Sequence, residues 1–336
     1  MRAIFAPLLL LSFLASGIAA QEEYTFDLSE VKKSSFHFGG YLEFLPKLFG
    51  LDQDSWLHKL KFYDAEQGKS IAQYNFNALL DFSYDRGMVS AKIRTNTDLE
   101  KSYSGWSFDM DLYEAFISLK PSLSFHMNAG KLRMRWGKGY AWNPVAFFDR
   151  PKNPSDPDLA LEGLMVLTMD YIKSFPGVLK TITLTPVLLP VYDHINSDYG
   201  ELNKLNFGGK IYLLLYDTDI DFMFLAGGSV PGRIGADISR NLASNFEIHG
   251  ELSYVPGYEK NVLGRDGSVT QKTYASTSCL LGMRYLTPSN LTLILEYFKN
   301  GNGYSSSEMD DFYFLVEQAY QSYLQTGDDH RLSALA

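Results

Sequence analysis

Between Ile71 and Asp85 the chain alternates in character almost without a break. Ala72, Tyr74, Phe76, Ala78, Leu80, Phe82 and Tyr84 hold one parity, and Gln73, Asn75, Asn77, Leu79, Asp81 and Ser83 hold the other. Successive side chains of a strand point to opposite faces, so this segment is a strand with one greasy face and one wet face. Strands of soluble sandwiches usually run about 5–6 residues and rarely pass ten. A longer run with aromatic ends suits a strand tilted across a bilayer. The same alternation returns along most of the chain. It predicts an all-β, antiparallel transmembrane β-barrel.

The ends of the chain frame that expectation. Met1–Ala20 reads as a signal peptide: Arg2 gives a positive start, Phe5–Leu14 an apolar stretch, and small residues surround a cut near Ala20–Gln21. The apolar stretch is too short for the ~20 residues of a spanning helix. Residues 21–336 then form the barrel. Rings make up 15% of the chain, yet no long apolar run follows the signal peptide. A barrel explains both, because the polar lumen dilutes the apolar residues while rings crowd the two interfaces. The single cysteine, Cys279, allows no internal disulfide. A net charge of −9 argues against nucleic acid as a partner. The expected surroundings are outer-membrane lipid and small hydrophilic solutes, with a second copy or an export-complex protein as further possible partners.

Thirteen strand candidates follow from the alternation. They are Ser35–Leu45, Ile71–Tyr84, Met88–Leu99, Trp106–Leu119, Leu123–Trp136, Leu161–Lys173, Leu179–Leu189, Leu205–Tyr216, Ile220–Val230, Arg233–Asn241, Phe246–Tyr254, Tyr274–Leu286 and Leu291–Phe298. Tight links rich in turn formers alternate with mostly longer ones: Pro46–Ser70, Glu100–Gly105, Gly137–Ala160, Pro190–Lys204 and Val255–Thr273. Short inner turns and long outer loops are the habit of outer-membrane barrels. By this parity the last strand ends on the outer side. Ser305–Gln325 then reads as a loop helix, with a capping box at Ser305 and Glu308 and a stripe of Phe312, Val316, Ala319 and Tyr323. Bacterial single-chain barrels have even strand numbers. The expectation is a complete barrel of 14 or more strands, with the sequence cut at its C-terminus or the missing strands supplied from elsewhere.

The wet faces give the pore-lining candidates. Cations are Lys92, Arg94, Lys131, Arg133, Arg135, Lys210, Arg233 and Arg284. Acids are Asp81, Asp98, Asp109, Asp111, Glu114, Asp170, Asp221, Asp237, Glu247, Glu251 and Glu296. Glu114 is out of phase with Asp109 and Asp111, and joins them only if its strand bulges near Leu112. Lys131, Arg133 and Arg135 share the inner face only if a bulge at Gly130 restores their phase. They then form a cationic ladder for anionic solutes, or neutralise Glu114 and its neighbours. The segment Gly137–Ala160, with Trp142, Phe147 and Phe148 beside its prolines, is too aromatic for disorder, and is expected to pack on the inner wall and narrow the pore. Asp149 belongs to this constriction. Asp149, Asp156 and Asp158 also have the hard oxygens calcium prefers, but no EF-hand spacing accompanies them. No nucleophile–base motif, metal-protease motif or phosphate loop occurs, so neither catalysis nor a cofactor is expected.

Ala129–Pro144, reading AGKLRMRWGKGYAWNP, resembles the G-[KR]-x-R-x-x-W-G strand of porin-like barrels, including alginate-export-type ones. Leu112–Phe116 is similar to the YEAY strand of porins. The resemblance covers only these two strands. It implies a passive or facilitated pore in the outer membrane of a Gram-negative bacterium, with Glu114, Arg133 and Arg135 facing the lumen. A barrel serving as a sleeve or docking platform, in an export or electron-transfer complex, is the alternative.

Overall fold

The computed structural model describes residues 34–64, 68–152, 154 and 158–335. The signal-peptide segment, Met1–Ala20, and Asp156 of the calcium reading lie outside the described residues. Thirteen strands form one antiparallel sheet in unbroken sequence order. They are β1 (Phe36–Gly50), β2 (Ser70–Arg86), β3 (Val89–Ser102), β4 (Gly105–Ser122), β5 (Phe125–Leu132), β6 (Leu164–Ser174), β7 (Leu179–Val191), β8 (Lys204–Leu215), β9 (Thr218–Ala226), β10 (Arg233–Ala243), β11 (Phe246–Leu263), β12 (Val269–Leu286) and β13 (Thr292–Lys299). Every strand read from the alternation is present. One face of the sheet is apolar and exposed, with Phe38, Leu42, Phe76, Ile93, Phe108, Phe207, Phe222, Leu252, Leu281 and Leu295 among its residues. A soluble sheet would bury such a face. Here the opposite face is the one that folds inward, and this is the architecture of a transmembrane β-barrel. No helix among the described residues is long and apolar enough to cross a membrane.

Two loops are shorter than the sequence implies. The stretches expected at Glu100–Gly105 and Val255–Thr273 are largely strand, because β3–β4 and β11–β12 continue as hairpins past the expected ends. Pro256, which lacks an N–H, falls within β11. The strand passes it on a register shift between Val255 and Tyr258, where the ladder does not need that donor. The predicted bulge near Leu112 is real: Arg94 pairs with Glu114 and Thr95 with Leu112, leaving Tyr113 as the extra residue. The one at Gly130 is absent, since β5 pairs with β6 in continuous register through it. Gly130 is needed for a different reason. It has φ +131°, and a side chain there would lie 2.3 Å from the Ala115 carbonyl.

Helix α1 (Trp56–Lys61) lies in the β1–β2 loop, and α2 (Ser306–Thr326) and α3 (His330–Leu335) follow β13. The capping box of α2 forms as its sequence dictates: Ser305 Oγ accepts from the Glu308 amide, and Glu308 Oε2 accepts from the Ser305 amide. Leu60, Val316, Ala319 and Leu332 pack together, so these helices join the first hairpin to the end of the last strand. Lys59 binds Glu317 at 2.6 Å, and Trp56 stacks on Tyr313. The edges of β1 and β13 are not paired with each other.

Candidate functional site: an inner loop hung on wall carboxylates

Strand β5 ends at Leu132, and the described residues between 133 and 163 leave the sheet, with Trp136–Phe148 turned onto its inner face. This corrects the expectation that Arg133 and Arg135 continue the strand as a ladder with Lys131. Arg135 has φ +57°, a left-handed conformation no strand continues through. Arg133 is half-buried and Arg135 exposed, so the three cations do not share a face. Lys131 pairs instead with Glu162, at the far end of the same loop. Trp136–Gly139 therefore begins this inner loop rather than ending a strand.

Two kinds of contact hold the loop. The first is charge-assisted: carboxylates on the wall accept hydrogen bonds from loop backbone amides, the strong class of hydrogen bond. Glu251 on β11 accepts from the amides of Lys138 (2.5 Å), Gly139 (2.6 Å) and Val145 (3.4 Å). Glu296 on β13 accepts from Tyr140 (2.5 Å) and Ala141 (2.8 Å). Glu296 also binds His249 Nε2 at 2.9 Å. Asp149 does the same within the loop, taking the amides of Met134 (2.7 Å) and Trp136 (2.9 Å). The approach to Glu251 needs a glycine at 137: φ is +93°, and a side chain there would lie 2.8 Å from the carboxylate. In the other direction Lys138 reaches Asp221 of β9 at 2.8 Å and Asp237 of β10 at 3.7 Å.

The second contact is apolar. Trp136, Val145, Phe147 and Phe148 pack onto Leu132, Leu164, Val166, Val187, Leu189, Val191, Met223 and Leu225. These wall residues belong to β5, β6, β7 and β9 and lie on the inward face. A dry core therefore sits inside the barrel wall.

The inner face of β2–β4 is ionic. Arg94 grips Asp81 with two bonds of 2.7 and 2.9 Å. Lys92 binds Glu114 at 2.8 Å, and Arg94 also approaches Glu114 at 3.6 Å. Glu114 is in phase only because of the Tyr113 bulge, and it further faces the Arg133 amide at 3.5 Å. The remaining candidates are distributed along the inner face. Asp170 accepts from Thr185 at 2.5 Å. Lys210 stands over the Trp136 ring, 3.8 Å from Asp221. Arg284 binds Glu247 at 2.9 Å and lies over Tyr140. The structure thus gathers Glu251, Asp149, Lys210, Glu247 and Arg284 around the inner loop and Lys92, Arg94 and Glu114 on the inner face of β3–β4. Asp170 stands apart from both. Lys138 and Glu162 are absent from the sequence-derived candidates: the first sits between glycines in the segment read as the constriction, and the second falls at the start of the expected strand Leu161–Lys173, which in the structure begins only at Leu164.

No family profile and no curated protein sequence matches the chain. Solved structures similar to it include Salmonella typhi OmpF in complex with daunomycin, at 9% identity over 79% of this chain and 78% of that one, with a TM-score of 0.49. OmpT of Vibrio cholerae lacking loop L8 is 12% identical over 79% and 93%, with a TM-score of 0.31. The FrpB iron transporter of Neisseria meningitidis is 10% identical over 70% of this chain and 43% of its own length, with a TM-score of 0.33.

Proposed function

We propose that this chain is an outer-membrane channel for small hydrophilic solutes, narrowed by its own inner loop, in a Gram-negative cell. The observation that carries the reading is the loop's suspension. Wall carboxylates hold its backbone amides, so the loop crosses the inner face without its own charges filling the space. Solutes pass between this loop and the ionic wall of β2–β4, and lipid covers the exposed apolar face.

Single-channel conductance in a planar bilayer under a salt gradient tests the reading. We expect stable open steps with weak ion preference, because Lys92 and Arg94 are balanced by Asp81 and Glu114. Glu114→Gln leaves both cations with a single acid and should move the reversal potential toward anions. Silent bilayers from demonstrably folded protein would overturn diffusion. They would favour the second reading, a plugged sleeve or docking platform, which the dry packing of Phe147 and Phe148 supports.

A further inference from the structure

A cavity of about 500 Å³ opens beside the inner loop, lined by six separate parts of the chain. Residues of the stretch Trp142–Lys152 supply one side, with Leu164 of β6, and Asp198 and Tyr199 another. Val230 and Arg233 stand at the start of β10, and Ser278 on β12 and Phe298, Asn300 and Asn302 at the end of β13 complete the wall. None of the pore-lining candidates from the sequence, apart from Asp149 and Arg233, belongs to it.

The charges of this cavity do not cancel. Asp149 has both oxygens occupied by the amides of Met134 and Trp136. Asp198 is taken by Arg150, which also binds Glu162 at 2.7 Å. Two cations remain. Lys152 donates to the carbonyl of Gly139, a neutral acceptor. Arg233 donates to the Pro231 carbonyl at a long 3.4 Å and lies over the Phe147 ring. Neither has a carboxylate within ion-pair distance among the described residues. A guanidinium presents paired donors that match a carboxylate, and most of those of Arg233 are unused.

Beside these cations the lining is mixed, with Asn143, Ser278, Asn300 and Asn302 on the polar side and an aromatic side made by Trp142, Phe147 and Phe298. Phe147 is buried and fixed through its carbonyl, which accepts from Tyr199 Oη at 2.6 Å. Trp142 stacks on Phe298 with an interplanar angle of 21°. Flat walls beside two under-used cations fit an anion that carries a flat apolar body. A fully hydrated inorganic ion would leave those walls unused.

We propose that this cavity binds small organic carboxylates with an apolar or aromatic body, the carboxylate meeting Arg233 and Lys152 and the body resting against Trp142 and Phe147. The inference deepens the channel reading and rests on it for the solute's route, whereas binding itself is measured without conduction.

The test is titration calorimetry on the full chain folded in detergent micelles, with benzoate, benzyl alcohol and inorganic phosphate as probes. Benzoate should bind saturably and benzyl alcohol should not. Arg233→Gln should weaken benzoate on the order of tenfold, the loss of one charge-assisted contact. Lys152→Gln should weaken it less, and Arg233→Lys should recover part of the loss. Should Arg233→Gln fail to fold, the comparison of benzoate with benzyl alcohol on the unaltered protein and the Lys152→Gln variant still decide. Absence of saturable benzoate binding would overturn the proposal. So would unchanged affinity in both glutamine variants, or phosphate binding as tightly as benzoate. Silent bilayers with benzoate bound would sink the channel reading and leave the site. A conducting protein that ignores benzoate would sink the site alone.

Discussion

The inner faces of β2–β4 and of β6–β9 belong to one sheet and behave as opposites. The first carries Asp81, Lys92, Arg94 and Glu114 in mutual ion pairs, partly open to water. The second carries Leu164, Val166, Val187, Leu189, Met223 and Leu225, sealed beneath Phe147 and Phe148. One wall keeps space and the other is filled. The difference teaches that an inward face need not be wet: where a loop folds back, inward positions become a core.

The comparison can be broken by substitution, and the largest effect should fall on the filled wall. Phe148 is fully buried, with its ring against Gly208. Phe148→Ala should cost about 3–5 kcal/mol, as truncation of a packed ring does. On the open wall Asn77 makes one weak contact, at 3.4 Å to Glu43, and Asn77→Ala should cost about 1 kcal/mol or less. Urea titration of the two variants in lipid vesicles checks both, and equal losses would erase the distinction.

Next comes the suspension of the loop. Glu251→Ala strands the amides of Lys138 and Gly139, each worth about 1–3 kcal/mol when left without an acceptor. Proteolysis of residues 133–163 should quicken in that variant. Glu251→Gln keeps an oxygen for both amides and should show a much smaller change. If the two variants behave alike, apolar packing holds the loop by itself.

The wet wall was legible in the sequence and the dry one was not, for a physical reason. Strict alternation in β2 declares its two faces. In Val187–Val191 and Phe222–Leu225 apolar residues occupy both parities, which is how a strand buried on two sides reads. That signal was available, yet a continuous apolar run does not say what covers it. The cover comes from residues 133–163, where Arg135 in a left-handed conformation ends β5. A backbone turn at a non-glycine residue leaves no mark in composition. The α2 cap was legible because a capping box is local, needing only Ser305 and Glu308 at the right spacing. The grip of Glu251 on Lys138 and Gly139 joins distant parts of the chain, and the sequence showed only that Glu251 faced inward.

The smallest expected effect lies outside the membrane, at the helices. Lys260 beside Glu308 holds its carboxyl down to about 2, against an ordinary value near 4.5, with the Ser305 amide adding to the shift. A depressed carboxyl stabilises the fold above its unfolded value and loses that contribution as pH falls toward its folded value. The anchorage of α2 on β11 should therefore be complete above pH 4.5 and weaken progressively toward pH 2. Trp56, stacked on Tyr313, is a reporter for it: its fluorescence should change across that window in the native chain and not in Glu308→Gln.

The helix cluster also sets an order of events during folding. Lys59 and Glu317 are 258 residues apart, and between them lie twelve of the thirteen strands. Neighbouring hairpins can form from short loops at little entropic cost, one after another along the chain. The helical clasp must wait for all of them, because only a completed, curved wall brings α1 and α2 within reach. Docking of Trp56 against Tyr313 is thus a clock for the last step of assembly, slower than the growth of the sheet it closes.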